Sequence, residues 1–212
     1  AERALDDPNG LRALGGDLSP PRLLAAYRRG IFPWYEDGQP IMWWSPDPRA
    51  VLLPGELHVS RSLRRTLRSG RFMVSTDRDF AGVIGACAQL RVAQGTWITA
   101  DMRDAYIRLH ELGHARSIDT WPGDRLVGGI YGIAIGRVFF GESMFSTETD
   151  ASKVALTALM QQLAGRGFGL LDCQLATPHL NSLGSRLMAR RDFVGVVSDL
   201  GGIPDQTGGW QT

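Results

Sequence analysis

The chain has 212 residues, of which 43% are hydrophobic and 21% are charged, and its formal net charge is +1. This length suits one large or two small domains, and the hydrophobic fraction is sufficient for a buried core. A run of about 18 apolar residues is missing, and the first residues are too charged for a signal peptide, so we expect neither a membrane helix nor export.

The basic residues and the cysteines further limit the classes of protein to which the chain can belong. Of the 23 Lys and Arg residues, Lys153 is the only lysine, and all the others are arginines. Cys87 and Cys173 are too few for the disulfide framework of a small secreted protein, and their spacing is not that of a CxxC pair. We therefore expect a protein of the reducing cytoplasm that needs no metal.

Two regions follow one another along the chain. Residues 1–59 are rich in Pro, Gly and Trp and contain one predicted helix, which begins at Ser19 and ends at Gly30 because two prolines suit its first turn. From Ser60 the pattern becomes regular α/β, which predicts a small N-terminal domain over 1–59 and a catalytic domain over 60–212.

The second region is predicted to contain four helices and four strands, two of which form a hairpin around Gly136. The order of helix, antiparallel hairpin, helix and strand resembles the acyl-transferase fold of N-acetyltransferases, with a mixed sheet. The predicted helices lie near 60–69, 77–88, 100–112 and 150–164, and the strands near 115–121, 125–134, 137–145 and 168–174.

The strongest basic signal lies in the first of these helices. Arg61, Arg64, Arg65 and Arg68 have the spacing of one helical face, while leucines take another face. Such a stripe suits a nucleic-acid phosphate backbone. A solvated helix face would have the same pattern.

Three aromatic residues are candidates for stacking on a base. Trp97 lies in a loop just before a helix that Thr99 is expected to cap, and Tyr106 lies two turns further along that helix. Trp34 follows Pro33 in an irregular segment. The alternative for Trp34 is that it packs the small domain against the large one.

The segment His110–His114 matches the H-E-x-x-H pattern of zinc proteases. Gly113 is a natural helix stop, however, and it would place His114 outside the helix face. We therefore expect His110 to pack or cap at a helix end, and we disfavour zinc hydrolysis.

Three polar residues interrupt two apolar strands. Glu142 lies inside one strand, and Asp172 and Gln174 end the other on one face. The helix between them is expected to begin at Asp150 as its N-cap. Buried polar groups are costly unless they are paired or used, so this strand–helix–strand unit predicts a site at neighbouring strand ends. The alternative is a structural polar network under a tight turn.

The chain resembles the leucyl/phenylalanyl-tRNA–protein transferase family through separate motifs that follow in family order over nearly its whole length. These motifs include Gly15-Gly-Asp-Leu-Ser-Pro20, Arg29-Gly-Ile-Phe-Pro-Trp34, Trp43-Trp-Ser-Pro-Asp-Pro-Arg49, Gly95-Thr-Trp-Ile-Thr99, the stretch Gly141 to Ser146, Ala151-Ser-Lys153, Leu171-Asp-Cys-Gln174 and Ser182-Leu-Gly184.

The resemblance implies transfer of Leu or Phe, with Met as a further candidate donor, from aminoacyl-tRNA to the N-terminal Arg or Lys of proteins, which marks them for degradation. The donor ester is already activated, so no cofactor is expected. The resemblance places Trp34, Trp97 and Tyr106 around the terminal adenosine and its aminoacyl group, and Arg61, Arg65 and Arg68 on the tRNA-binding surface. It assigns the side-chain pocket to Ile130, Phe139, Met144 and Leu171, which sheet core would also explain.

The expected chemistry at the site is proton removal from the attacking amine. We expect Asp172 to polarise Gln174, and Gln174 to hold the amine and help to deprotonate it. Glu142 would bind either the cationic side chain of the acceptor or the α-amino group of the donor.

Two other functions remain open from the sequence. A coenzyme-A acetyltransferase would need a glycine-rich loop, yet residues 143–152 contain no glycine. An RNA-binding module without transfer activity would leave Glu142, Asp172 and Gln174 without a role.

Overall fold

The protein is described by a computed structural model that covers residues 1, 3–90, 97–205 and 210. These residues form ten strands and seven helices. The strands are β1 Leu11–Leu14, β2 Phe32–Pro33, β3 Met42–Trp44, β4 Arg49–Leu52, β5 Met73–Thr76, β6 Ala115–Trp121, β7 Gly128–Ile135, β8 Val138–Ser146, β9 Leu170–Gln174 and β10 Arg186–Met188. The helices are α1 Pro20–Tyr27, α2 Arg61–Arg68, α3 Phe80–Gln89, α4 Ala100–Glu111, α5 Ala151–Gly165, α6 Pro178–Ser182 and α7 Arg190–Gly201.

The large sheet has seven strands in the order β10-β4-β9-β8-β7-β6-β5. Its neighbouring strands are antiparallel except for β8 and β9, which are parallel and are joined by α5. The predicted mixed sheet, the hairpin around Gly136 and the strand–helix–strand unit are therefore confirmed.

The N-terminal residues form a separate three-stranded sheet in the order β1-β3-β2. Strand β4 pairs with β9 of the large sheet, so the change from the small sheet to the large one lies between Trp44 and Arg49. Leu23 and Trp43 from the N-terminal part share one hydrophobic cluster with Phe140 of the large sheet. The small sheet is thus packed on the large one through a common core.

Helix starts mostly follow the side-chain chemistry of their caps. The side chain of Thr99 accepts a hydrogen bond from the Met102 N–H, as expected for the start of α4. Asp150 occupies the N-cap position of α5 with a φ of 70°, but its carboxylate does not cap the helix. It accepts instead from Thr66 at 3.0 Å and from Lys153 at 3.2 Å, so the predicted N-cap position is confirmed but the carboxylate bonds to other groups.

The two faces of the large sheet have different coverings. One face, here called the N-terminal face, packs against α1, α3, α4 and α7, whereas the other, the α5 face, packs against α5. In β7, Ile130 belongs to the α5 face and Tyr131 to the N-terminal face, as strand alternation requires. Within the described ranges, every helix is too short or too polar to cross a bilayer.

Candidate active site

The parallel strands β8 and β9 separate before they end. Their ladder pairs Val138 with Leu170 and finishes at the pair Phe140 and Asp172, although β8 continues to Ser146. A cavity of about 630 Å³ opens at this gap. That volume lies within the range of small-molecule sites, roughly 300–1,000 Å³.

A β-bulge in β8 places Glu142 at the gap. The pairing of β7 with β8 passes from Tyr131–Ser143 directly to Gly132–Gly141, so Glu142 is the extra residue. A bulge interrupts the alternation of side chains, and as a result both Glu142 and Ser143 belong to the N-terminal face. Met144 returns to the α5 face.

The cavity therefore reaches both faces of the sheet. Its apolar end is lined on the α5 face by Ile130, Met144, Leu156 and Leu171. Its polar end contains Glu142, Gln174 and the aromatic residues Trp34 and Trp97. One ligand can thus place an apolar side chain at one end and a reacting polar group at the other.

Glu142 is held by three hydrogen bonds although it is 7% exposed. Its Oε1 accepts from Tyr27 at 2.7 Å and from the side-chain amide of Gln174 at 2.9 Å, and its Oε2 accepts from Tyr106 at 2.9 Å. The hydroxyls of Tyr27 and Tyr106 also contact each other. The two tyrosines come from α1 and α4, so the small N-terminal part helps to orient this carboxylate.

Burial raises the pKa of Glu142 from its ordinary value of 4.5 to about 7. The hydrogen bonds from the two tyrosines oppose this increase, and the nearby charge of Asp172 adds to it. A carboxyl group with a pKa close to neutral can both take and return a proton at physiological pH. Glu142 is thus suited to general acid–base chemistry.

Asp172 is engaged in an ion pair that is completely buried. The Arg49 guanidinium donates to Asp172 through Nε at 2.8 Å and through Nη2 at 2.7 Å. The same guanidinium lies between the rings of Phe32 and Phe193, at 4.7 and 4.6 Å from their centroids. Asp172 therefore lines the cavity while both of its carboxylate oxygens are bonded to a buried cation.

Gln174 ends β9 in a strained conformation. Its φ of 64° lies in the left-handed region, which residues other than glycine rarely adopt. The backbone N–H of Gln174 donates to Asp172 Oδ1 at 2.9 Å, and its side-chain amide donates to Glu142. Asp172 thus acts on Gln174 through the backbone. The side-chain amide of Gln174, which the sequence led us to expect beside Asp172, bonds to Glu142.

Ser143 carries a buried hydroxyl at the cavity. The residue is 6% exposed and lines the cavity beside Glu142. Its Oγ has no hydrogen-bond partner among the described residues. Since buried polar groups are normally satisfied, this hydroxyl is available to a bound ligand.

The structure brings together most of the residues that the sequence singled out for the pocket. Trp34, Trp97, Ile130, Met144 and Leu171 line the cavity together with the three polar residues. Gly95 and Thr96 of the loop motif lie outside the described residues.

Two of the expected pocket residues lie elsewhere. Phe139 packs in the core with its ring 5.9 Å from that of Trp210, and it is not among the residues that line the cavity. Tyr106 is completely buried, is not among the residues that line the cavity, and donates to Glu142 at 2.9 Å. The roles that the family resemblance implies for these two residues stay predictions.

The basic stripe and the zinc-like motif have clear positions. Arg61, Arg64, Arg65 and Arg68 are all exposed on α2, while Leu63 is buried. His110, on α4, stacks on the ring of Phe80. His114 lies beyond the end of α4, and its Nδ1 is 3.7 Å from Asp205. The expected helix end is therefore confirmed.

Sequence reasoning missed two residues that organise the site, Tyr27 and Arg49. Tyr27 is a regular apolar position of α1, and its bond to Glu142 spans 115 residues of sequence. Arg49 belongs to one of the family motifs, Trp43 to Arg49, which was the only signal that could have identified it. An arginine at the start of a short apolar strand is not distinguished by its sequence neighbours as a completely buried residue.

Comparison with known proteins gives one consistent family. Residues 51–198 match the family model described as leucyl/phenylalanyl-tRNA protein transferase, and residues 16–47 match that of its N-terminal domain. The protein named leucyl/phenylalanyl-tRNA–protein transferase of Stutzerimonas stutzeri is 59% identical over 193 residues, which cover 91% of this chain and 85% of that protein. The protein of the same name in Azotobacter vinelandii is 61% identical, with the same coverage.

Solved structures of other proteins are more distantly similar. The structure of L-PGS from Bacillus licheniformis is similar with a TM-score of 0.42 and 12% identity, covering 74% of this chain and 66% of that chain. A likeness at this level carries no argument about fold or function.

The buried ion pair predicts that Asp172 is needed for stability. Replacing Asp172 by Ala leaves the Arg49 charge buried and unpaired, which should lower the free energy of unfolding by roughly 3–5 kcal/mol. Replacing both residues, as in Arg49→Met with Asp172→Leu, should recover part of that loss. Urea denaturation measures both variants, and Gln174→Ala, at a half-buried position, is the control. A single Asp172→Ala variant as stable as the parent would contradict the structural role.

The raised pKa of Glu142 predicts how stability depends on pH. Because the folded pKa of about 7 exceeds the ordinary 4.5, this group stabilises the fold fully below pH 4.5, and its contribution is lost as the pH rises through 7. The difference corresponds to roughly 3 kcal/mol at 1.36 kcal/mol per pKa unit. Glu142→Gln should therefore flatten the decline in unfolding free energy between pH 5 and about 7.5.

Glu148→Gln is the matched control for this measurement. The hydrogen bonds and charges of Arg71 and Arg125 lower the pKa of Glu148, so its contribution is lost only as the pH falls below 4.5. Its removal should leave the slope between pH 5 and about 7.5 unaltered. Equal slopes for the parent and Glu142→Gln would show that Glu142 titrates normally.

Proposed function

The chain belongs to the leucyl/phenylalanyl-tRNA protein transferase family, and on that premise we propose that it moves leucine or phenylalanine from an aminoacyl-tRNA to the N-terminal arginine or lysine of an acceptor protein. It is an aminoacyltransferase whose substrates are an aminoacyl-tRNA and a protein. The observation that supports the finer proposal is the cavity at the strand gap, which joins an apolar end to a buried carboxylate.

The reaction exchanges one acyl bond for another. The amine nitrogen of the acceptor attacks the ester carbonyl of the donor, a tetrahedral intermediate forms, and the bond to the 3′ oxygen of the tRNA breaks. The amine must lose a proton, and the leaving oxygen must gain one. The donor is already activated, so the protein's task is to position the reactants and to transfer protons.

Glu142 is the best-placed group for the proton transfer. An amide such as Gln174 is too weak a base to remove a proton from an ammonium group, whereas the pKa of Glu142 is about 7. Glu142 takes the proton of the attacking amine and returns it to the leaving 3′ oxygen. Tyr27 and Tyr106 hold the carboxylate in position for both steps.

Gln174 and Ser143 position the reacting groups. The Oε1 of Gln174 accepts an N–H of the attacking amine, while its Nε2 remains bonded to Glu142. The hydroxyl of Ser143 donates to the carbonyl oxygen as negative charge develops there. Asp172 keeps Gln174 in its left-handed conformation by accepting its backbone N–H.

The apolar end of the cavity binds the donor side chain. Ile130, Met144, Leu156 and Leu171 offer an aliphatic surface that suits both Leu and Phe, and methionine adapts well to either shape. Trp34, which is 43% exposed, and Trp97 at the polar end provide surfaces on which the terminal adenine stacks. The exposed arginines of α2 contact the phosphates of the tRNA body.

A transfer assay tests the proposal directly. The protein is mixed with Leu-, Phe- or Met-tRNA and with peptides that begin with Arg, Lys or Ala, and peptide-bond formation is followed by mass spectrometry. We expect addition to the peptides with Arg and Lys only. Glu142→Gln should lower the turnover by ~10²–10⁴-fold, which is typical of lost acid–base help. Binding of charged tRNA without any transfer would favour an RNA-binding module instead.

The position of Phe139 allows a matched test of the donor pocket. Met144→Ala removes contacts with the donor and should change the ratio of Leu to Phe transfer, since specificity is a difference between affinities. Phe139→Ala should instead cost roughly 3–5 kcal/mol of stability and leave that ratio unaltered. Thermal unfolding and transfer rates are measured on both variants. A changed ratio for Phe139→Ala with normal stability would place Phe139 in the pocket.

A further inference from the structure

A second cavity, of about 470 Å³, lies between α2, β5 and α5, and it is called here the α2–α5 pocket. Its volume is within the range of small-molecule sites, roughly 300–1,000 Å³. The side chains of Leu67, Phe72, Val74, Val154 and Ala158 form its apolar walls. None of these residues lines the cavity at the strand gap, so the pocket is a separate space.

Helix α5 separates this pocket from the cavity at the strand gap. On a helix of about 3.6 residues per turn, Ser152 and Leu156 share one face, and both line the cavity. Val154, Ala158 and Gln161 share the opposite face, and all three line the α2–α5 pocket. The two spaces therefore lie about one helix diameter apart, roughly 10–12 Å.

The pocket is also lined by an aromatic ring and a side-chain amide. The ring of Phe72 is half-buried, and the Arg71 guanidinium lies over it, 4.8 Å from its centroid. The Nε2 of Gln162 donates to Thr76 at 2.8 Å, whereas its buried Oε1 has no hydrogen-bond partner among the described residues. Unpaired bases stack on aromatic rings, and the exocyclic amino groups of adenine and cytosine donate to amide oxygens. The pocket thus has the groups that bind a nucleobase.

The surroundings of the pocket are basic. Thr66 and Leu67 line it from α2, and their neighbours Arg65 and Arg68 are exposed on the same helix. In the proposed function these arginines contact tRNA phosphates, so a strand that follows α2 brings its bases beside the pocket. Charge complementarity therefore favours a nucleic acid over an uncharged apolar partner as the occupant.

We propose that the α2–α5 pocket binds an unpaired base from the single-stranded 3′ end of the donor tRNA, on the 5′ side of the terminal adenosine. The proposal rests on the proposed function, which places that adenosine in the cavity at the strand gap. A stacked strand advances about 3.4 Å per nucleotide, so about three nucleotides span the width of α5. Stacking holds the base, and its effect is to fix the strand between α2 and the reacting ester.

The test compares two donor analogues that differ only in their bases. Each carries phenylalanine in an amide bond on a terminal 3′-amino-3′-deoxyadenosine, and three nucleotides precede that nucleoside. In one analogue these are an adenosine and two cytidines, and in the other they are abasic riboses joined by the same phosphates. Dissociation constants are measured for both analogues with the parent and with three variants.

Two variants change the pocket, and one is a matched control. Ala158→Met fills the pocket from α5, whereas Phe72→Leu removes the ring but keeps an apolar side chain. Ala164→Met is the control, because Ala164 is an exposed residue of the same helix and is not among the residues that line the pocket. Thermal unfolding shows that each variant is folded.

We expect the parent to bind the analogue with bases roughly 5–150-fold more tightly than the abasic one, which is the contribution of one stacked base. Ala158→Met and Phe72→Leu should bring that ratio towards one, and Ala164→Met should retain it. Binding of the abasic analogue and the log–log salt slope should stay as in the parent, because no phosphate contact is lost.

Three results would overturn this assignment. They are equal binding of both analogues by the parent, the same ratio in Ala158→Met as in Ala164→Met, and a higher KM for the acceptor peptide in Ala158→Met with unaltered donor binding. The last result would assign the pocket to the acceptor. If the parent bound neither analogue and transferred nothing from charged tRNA, the proposed function itself would fail. Transfer by the parent therefore separates the two kinds of failure.

Discussion

The ion pair between Arg49 and Asp172 is the constraint on which the site depends. Both side chains are completely buried, and a buried charge is tolerated only while its partner stays in place. The pair joins β4 to β9, and the guanidinium also contacts Phe32 of the small sheet and Phe193 of α7. Burial raises the pKa of Glu142 to about 7, the charge of Asp172 adds to this increase, and the charge of Arg49 opposes it.

Much of the large sheet could be predicted from the sequence because its elements have strong local periodicity. The hairpin around Gly136, the helix of residues 151–165 and the parallel strand that follows it all lie where apolar spacing placed them. Glu142 and Gln174 were identifiable because polar residues in apolar strands are costly. Their direct contact at 2.9 Å agrees with that reasoning, although neither residue's role follows from it.

The remaining features depend on partners far away in the chain. Tyr27 and Arg49 act on residues more than a hundred positions later, and local pattern contains no trace of such contacts. Phe139 is apolar in an apolar strand, so the sequence does not distinguish a core position from a cavity position there; in the structure its ring packs near that of Trp210. The bulge at Glu142 is a property of pairing between two strands, and Asp150 forgoes capping because Thr66 and Lys153 bind its carboxylate.

The extra residue in β8 also acts as a phase shift along that strand. Up to Gly141 the side chains alternate in one phase, and from Ser143 onward they alternate in the other, so that Met144 faces α5. Deleting one residue here would exchange the two sets of side chains between opposite sides of the sheet. In the proposed function, substitutions at the apolar end would therefore change the preference among donors, while Glu142 and its partners on the opposite face would stay in place.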